Sequence, residues 1–147
     1  MGFLFSKRVI FVLLATTLFC NAAQAAAEQQ LKADLSWTSF TCAVLARNSG
    51  DKQEYERLFA LGYEAGLAFL QAVRAGTASL DGAPTGFLMV NGGPNYEFIL
   101  GRAYQALEEV YSVQLDQQAQ RGIRREVAAG RLFEGNNCSL IGVPPGA

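Results

Sequence analysis

Apolar residues recur at spacings of three and four along residues 51–76, which hold the clearest helical pattern in the chain. The apolar stripe consists of Tyr55, Leu58, Phe59, Gly62, Gly66, Phe69, Leu70 and Val73. Charged residues lie away from this stripe, so the pattern predicts a helix with one face against a core. Asp51 or Ser49 is placed to cap its start, and Gly76 is placed to end it.

Two glycines, Gly62 and Gly66, lie on the apolar face of this predicted helix. A glycine in a helix interior costs about 1 kcal/mol relative to alanine, so we expect a compensating interaction at each position. Close packing against a neighbouring helix is the first interpretation. Room for a ligand is the second.

Three further segments have helical periodicity. The first runs from about Glu28 to Arg47 without glycine or proline, and the second covers residues 95–120 behind Pro94. Proline is favoured at the first position of a helix, which predicts a helix start at Pro94. A shorter helix is predicted from Ile123 to about Phe133. Four helices with one long connection predict an all-α fold, a small bundle.

The long connection covers residues 77–93, "TASLDGAPTGFLMVNGG", and we call it the 77–93 loop. Its four glycines and one proline end the helical pattern, and long loops in small domains are often functional. The candidate partner-binding residues in it are Phe87, Leu88, Met89, Val90 and Asn91. The apolar patch has two interpretations: a short strand or flap packed on the core, or a solvent-exposed hook.

The stretch Asn91-Gly92-Gly93-Pro94 resembles a glycine-rich ligand cradle at a helix start. A phosphate-binding loop would add a lysine followed by serine or threonine, and neither is present in this stretch. The stretch is therefore interpreted first as the start of a helix.

Residues 1–25 have the pattern of a cleaved signal peptide. Lys7 and Arg8 precede an apolar run of about eleven residues, and an A-x-A motif ends at Ala25. The run is shorter than the roughly 20 apolar residues that a membrane-spanning helix needs. We expect cleavage after Ala25, no stable membrane insertion, and a periplasmic or secreted single domain of residues 26–147.

Cys42 and Cys138 are the two cysteines that would survive cleavage. An even pair in an exported chain predicts a disulfide bond, and the rival interpretation, a redox-active or metal-binding pair, lacks C-x-x-C spacing. Cys20 lies in the leader. Lipidation at Cys20 is disfavoured because the bulky Phe19 precedes it.

Charge and composition exclude several classes of function. The predicted leader contains two of the twelve basic residues and none of the thirteen acidic ones, so the mature net charge is -3. This gives no reason to expect a nucleic-acid partner. The chain has no histidine, which removes imidazole-dependent catalysis and most zinc sites. We expect no cofactor and no metal.

Two groups of charged residues could have a function, although charged residues of this kind usually form solvated helix faces. The acidic candidates are Glu64, Glu97, Glu108 and Glu109. Two carboxylates can hydrolyse a glycosidic bond, provided that the fold brings them together. The basic group consists of Arg121, Arg124, Arg125 and Arg131, for which a phosphate or membrane patch is the alternative.

A Gly-Tyr-x-x-Gly motif at Gly62 to Gly66, between an early and a late cysteine behind a leader, resembles the periplasmic immunity proteins of the Rap1a/Tai kind in type VI secretion. The resemblance implies a small helical protein that neutralises a cell-wall amidase effector by placing a loop in the enzyme's cleft. The Cys-x-Pro element typical of that family has no counterpart in the 77–93 loop.

Three hypotheses on function follow. The first is a protein-binding module without catalysis, an immunity-type inhibitor of a cell-wall-degrading effector, that binds through the 77–93 loop. The second is a structural or chaperone-like envelope protein. The third is a carboxylate-dependent polysaccharide hydrolase that uses Glu64 or Glu97. Another protein is the expected partner in the first hypothesis, and a homodimer is left open.

Overall fold

The computed structural model of the chain describes residues 6–84, 87 and 92–144, with only the backbone described for residues 6–23 and 25. Its elements, in chain order, are α1 (Ser6–Ser49), α2 (Lys52–Arg74), α3 (Tyr96–Gln120), α4 (Arg125–Gly135) and a short 3-10 helix (Cys138–Leu140). The described ranges contain no β-strand. The predicted all-α bundle of four helices is confirmed.

The first helix is longer than predicted, because α1 begins at Ser6 rather than near Glu28. Every buried residue described in α1 lies at or after Ala33, so the core uses only the second half of this helix. The signal peptide and its cleavage after Ala25 stay predictions. No helix in the described part of the chain is long and apolar enough to cross a membrane.

The second helix has the predicted ends. The Asp51 side chain accepts a 3.0 Å hydrogen bond from the Glu54 backbone N–H, which confirms Asp51 as the N-cap. The helix ends at Arg74, and Gly76 follows with a φ of +72°, a conformation that favours glycine. The contact between α1 and α2 is the most extensive one between helices of the bundle.

Gly62 and Gly66 lie where side chains of α1 and α3 press against α2. A Cβ atom on Gly62 would lie 2.7 Å from Phe40 Cδ1. A Cβ atom on Gly66 would lie 2.5 Å from Leu100 Cδ2 and 2.6 Å from Ser36 Oγ. The space that a ligand would need beside these glycines is therefore filled by the protein's own side chains.

Aromatic rings form the centre of the core. The ring of Phe59 lies 5.6 Å from that of Phe40 and 5.1 Å from that of Tyr104, measured between centroids. Phe40 and Tyr104 are themselves 5.7 Å apart in an edge-on arrangement. Rings from α1, α2 and α3 thus meet in one cluster with the tilted geometry that aromatic pairs prefer.

The predicted disulfide bond is confirmed between Cys42 on α1 and Cys138 at the start of the 3-10 helix. The two Cα atoms are 5.5 Å apart, and the cysteines are separated by 96 residues in the chain. Both are fully buried. In the chain-entropy model, a cross-link over this length stabilises the fold by about 4 to 5 kcal/mol.

Two predicted helix starts are wrong by two residues. The third helix begins at Tyr96 with Asn95 as its N-cap, so Pro94 precedes the cap instead of occupying the first helical position. The Asn95 side chain accepts a 2.8 Å hydrogen bond from the Phe98 N–H. The fourth helix begins at Arg125 rather than Ile123.

Candidate partner-binding surface

The 77–93 loop begins tightly against the end of α2. The backbone N–H groups of Thr77 and Ala78 both donate to the carbonyl of Ala72, at 2.9 and 3.2 Å, and the Thr77 hydroxyl donates to the same oxygen at 3.1 Å. These bonds satisfy a carbonyl that the helix end would otherwise leave free. The first residues of the loop are therefore fixed to α2.

The middle of the loop is fixed to α1. The side-chain amide of Gln30 donates a 2.7 Å hydrogen bond to the carbonyl of Gly82, across 52 residues of sequence. Gly82 has a φ of +87°, which favours glycine at this turn, and the adjacent Ala83 is buried. The loop is thus held by a polar contact and by an apolar one next to it.

Phe87 lies in the core. Its side chain is fully buried, and its ring centroid lies 6.0 Å from that of Trp37 on α1 and 5.8 Å from that of Phe69 on α2. Of the two interpretations of the apolar patch, packing on the core therefore holds at Phe87. A fully buried ring reaches a partner only if the loop moves, so partner binding by Phe87 itself stays a prediction.

Leu88, Met89, Val90 and Asn91, the other candidate partner-binding residues, lie outside the described residues. Their position along the chain is nevertheless bounded on both sides. Buried Phe87 precedes them, and the exposed Gly92 and Gly93 follow them directly before the cap of α3. Seven residues, 88–94, therefore join buried Phe87 to the cap of α3 at Asn95.

Gly93 lies where the loop meets α3, in close contact with side chains of that helix. A Cβ atom there would lie 2.5 Å from Phe98 Cδ1 and 3.1 Å from Ile99 Cγ1, so a larger residue would require these two side chains to move. A cavity of about 260 Å³ opens beside it. Its lining consists of Arg74, Gly93, Pro94, Asn95, Tyr96 and Ile99.

An exposed aromatic residue extends this surface along α3. Phe98 is 46% exposed, and the guanidinium carbon of Arg102 lies 6.0 Å from the centre of its ring. Neither Arg74 nor Arg102 forms an ion pair with any other described residue. Arginine and aromatic side chains are enriched in protein interfaces, so this composition suits contact with another protein.

The acidic candidates are either engaged with neighbouring side chains or exposed. Glu108 forms an ion pair with Arg47, and Glu109 accepts a 3.0 Å hydrogen bond from Gln105. Glu64 and Glu97 are exposed on different helices. Within the described ranges, no group of three or more acidic or cysteine residues is placed to hold a metal ion.

One buried hydroxyl belongs to the core beside this acidic region. The Tyr104 oxygen has no hydrogen-bond partner among the described residues, although the Arg47 guanidinium lies beside it. Burial raises the pKa of Tyr104, and the nearby guanidinium only partly opposes that shift. Burial likewise raises the pKa of Tyr111.

The basic group lies around the turn between α3 and α4. Arg125 pairs with Asp116 and also donates a 3.4 Å hydrogen bond to the Asn48 side chain, so it links α4 to α1 and α3. Arg121, Arg124 and Arg131 are exposed. Arg125 therefore has a structural role, while the other three match the solvated face that the sequence suggests first.

The residues that hold the loop differ in how far the sequence indicates them. Gln30 has no signal, because only the fold brings this common polar residue to Gly82. Asn95 had a detectable signal, because asparagine is among the preferred N-cap residues and directly precedes an apolar periodic stretch.

Comparisons of the chain with protein-family models, with curated proteins and with solved structures found no match. The resemblance to the Rap1a/Tai immunity proteins therefore rests on the residue pattern described above and stays a prediction. The account of function that follows is argued from the geometry of the loop and its surroundings.

Proposed function

We propose that this protein is a protein-binding module of the cell envelope, and that its contact surface is formed by residues 88–91 of the 77–93 loop, which we call the loop tip, together with the adjoining part of α3. The observation that carries the proposal is the fixation of the loop on both sides of its tip. Gln30 and Phe87 hold the side that comes first in the chain, and Asn95 holds the other.

Fixation matters because binding through a flexible loop costs conformational entropy. Ordering a residue costs on the order of 1 to 2 kcal/mol, and a loop that is already held in place loses less on binding. Here the disulfide-linked bundle supplies the support, and only residues 88–91 separate buried Phe87 from the glycines before α3. Three of these four residues are apolar, which suits insertion into a cleft.

The adjoining surface adds side chains of the kind that interfaces favour. Exposed Phe98 carries Arg102 over its ring, and Arg74 lines the cavity beside Gly93. A partner that receives the loop tip would contact this surface at the same time. The proposal therefore places the loop tip at the centre of the interface and the arginines at its rim.

The finer form of the proposal is an immunity-type inhibitor of a cell-wall-degrading effector in the periplasm. It is supported by the Gly-Tyr-x-x-Gly motif in α2, the leader pattern and the disulfide bond, which is stable in oxidising compartments. In this form the loop tip occupies the active-site cleft of the enzyme. Inhibition then follows from exclusion of substrate, without catalysis by the inhibitor.

The experiment that tests the proposal is affinity capture with the purified, oxidised protein from a bacterial envelope extract, followed by a salt wash. We expect one partner at a stoichiometric ratio. For the finer form we expect that partner to hydrolyse cell-wall peptidoglycan and to lose this activity on binding. Many weak partners, or none, would contradict the proposal, and a single partner without wall-degrading activity would contradict only the finer form.

A further inference from the structure

The last described residues, 138–144, cross α2 as the short 3-10 helix and the irregular residues after it, and we call this segment the C-terminal strap. Its internal hydrogen bonds are local: the N–H groups of Leu140, Ile141 and Val143 each donate to the carbonyl three residues earlier, at 3.0 to 3.3 Å. Gly142 turns the strap with a φ of +73°. These features define the shape of the strap but do not fasten it to the helices.

Arg57 on α2 supplies the polar fastening. Its Nη1 donates a 2.7 Å hydrogen bond to the carbonyl of Ile141, and its Nη2 donates a longer one, 3.5 Å, to the carbonyl of Cys138. Among the described residues, these are the only hydrogen bonds between the strap and α1, α2 or α3.

Glu54 holds the Arg57 side chain in the orientation that these bonds require. The guanidinium donates from Nε and from Nη2 to the two carboxylate oxygens, at 2.9 and 2.7 Å. This two-point contact fixes the plane of the guanidinium, and Glu54 raises the pKa of Arg57. Glu54, on the same helix, therefore fixes the orientation of Arg57, and the remaining N–H groups of the guanidinium donate to carbonyls of the strap.

The disulfide bond joins Cys138, the first residue of the strap, to Cys42 on α1. Neither Cys42 nor Cys138 is exposed to solvent. Gly142 is pressed against α2 so closely that a Cβ atom there would lie 2.5 Å from Leu61 Cδ2. A thiolate must contact one of the two sulfur atoms to reduce the bond, so reduction of the folded protein requires the structure to open around these buried cysteines.

We propose that the strap is a redox-gated latch: Arg57 controls access of a dithiol reductant to the Cys42–Cys138 bond, and reduction frees the strap while the helices stay folded. The helices keep their own core, since the aromatic cluster of Phe40, Phe59 and Tyr104 lies on α1, α2 and α3. Release of the strap exposes the face of α2 around Arg57.

The chemistry of the step is a thiol–disulfide exchange with a dithiol that supplies two electrons. One thiolate of the reductant attacks the sulfur of Cys138, which moves with the strap, and expels the Cys42 thiolate, which takes up a proton. The second thiol of the reductant then attacks the mixed disulfide. It releases Cys138 as a thiol and closes the reductant into a cyclic disulfide.

The test measures the rate at which dithiothreitol reduces the purified, oxidised protein under native conditions, with timed alkylation of the thiols and a gel-shift readout. We expect Arg57→Gln to accelerate reduction about tenfold or more, since it loses a charge-assisted hydrogen bond to the strap. Glu54→Gln, which leaves Arg57 in place without its partner, should give a smaller acceleration. Lys52→Gln removes an exposed ion pair on the same helix and serves as the control, with an unchanged rate.

Equal rates in wild type, Arg57→Gln and Lys52→Gln would overturn the latch. Hydrogen exchange of the reduced wild-type protein provides the second measurement. We expect the strap amides to exchange rapidly, while Val44 on α1 and Leu58 on α2 stay protected. Loss of protection at all of these sites together would mean that reduction unfolds the protein, which would overturn release of the strap alone.

Discussion

The hydroxyl of Ser36 donates a 2.7 Å hydrogen bond to the backbone carbonyl of Gly62, across the contact between α1 and α2. Both residues are buried, so this bond satisfies the serine hydroxyl in a place that water does not reach. It also fixes the position of α2 along α1 next to the two glycines. The Gly-Tyr-x-x-Gly motif thus has a packing role that is independent of any resemblance to a family.

Gly66→Ala should destabilise the protein in spite of the higher helix propensity of alanine. The added Cβ would meet Leu100 Cδ2 at 2.5 Å and Ser36 Oγ at 2.6 Å, which forces these side chains to move. Overpacking costs about 1 to 3 kcal/mol, and the propensity gain offsets up to about 1 kcal/mol of it. Chemical denaturation should therefore give a net loss of up to about 2 kcal/mol.

Gly101→Ala provides the matched control for that prediction. Gly101 also lies inside a helix, but a Cβ atom there would meet nothing within 4 Å. We expect a gain in stability of up to about 1 kcal/mol. Similar effects at the two positions would show that packing does not explain Gly66.

Phe87→Ala should destabilise the fold, because its ring is fully buried between Trp37 and Phe69. Replacing a buried phenylalanine by alanine costs about 3 to 5 kcal/mol. Phe98→Ala removes a ring of the same size that is 46% exposed and should cost less than about 1 kcal/mol. Comparable losses would contradict the role of Phe87 as the anchor of the loop.

The sequence predicts most of the fold for physical reasons that are local. Periodicity marks the four helices, Asp51 is a preferred cap residue, and an even pair of cysteines behind a predicted leader favours a bridge. Long-range contacts have no such signature. The bond from Arg57 to Ile141 spans 84 residues, and nothing in either residue's neighbourhood indicates it.

The 77–93 loop shows the same limit. Its position and its apolar patch are visible in the sequence, because glycines and a proline interrupt the helical periodicity. The sequence does not show whether the patch faces the core or the solvent, since a buried anchor and an exposed hook have the same composition. The burial of Phe87 follows from the space between Trp37 and Phe69, which exists only once α1 and α2 are packed.

Protein stability should fall as the pH rises above about 10. A tyrosine in the unfolded chain ionises near its ordinary pKa of about 10, whereas burial raises the pKa of Tyr104 and of Tyr111 in the folded state. The unfolded chain then loses these protons first. The stabilisation from the buried neutral hydroxyls is fully present below pH 10 and is lost as the pH rises toward the folded-state pKa values.

Tyr104→Phe tests the origin of this pH dependence. Denaturation curves between pH 8 and 11.5 should show a smaller alkaline loss in the variant than in wild type. At pH 7 the variant should be as stable as wild type or slightly more stable, because the Tyr104 hydroxyl has no hydrogen-bond partner to lose. An alkaline loss of unchanged size would contradict the assignment to Tyr104.

The loop tip is tested by a triple variant, Leu88→Ser, Met89→Ser and Val90→Ser, which leaves the anchor at Phe87 in place. Val110→Ser with Val113→Ser is the matched control, since these apolar residues are 62% and 59% exposed on α3. Both variants replace apolar side chains by serine and leave the core residues described above unchanged. Their effect on unfolding should be small, which circular dichroism and denaturation can check first.

The proposed contact surface is tested most directly by measuring how tightly these variants bind the partner captured from the envelope extract. Calorimetry gives the affinity of each variant and of the wild-type protein. We expect the loop variant to lose at least about 100-fold in affinity, in the range of about 3 kcal/mol that central apolar contacts contribute, and the α3 control to bind as wild type does. Equal binding by the loop variant and by wild type would contradict the claim that the 77–93 loop is the contact surface.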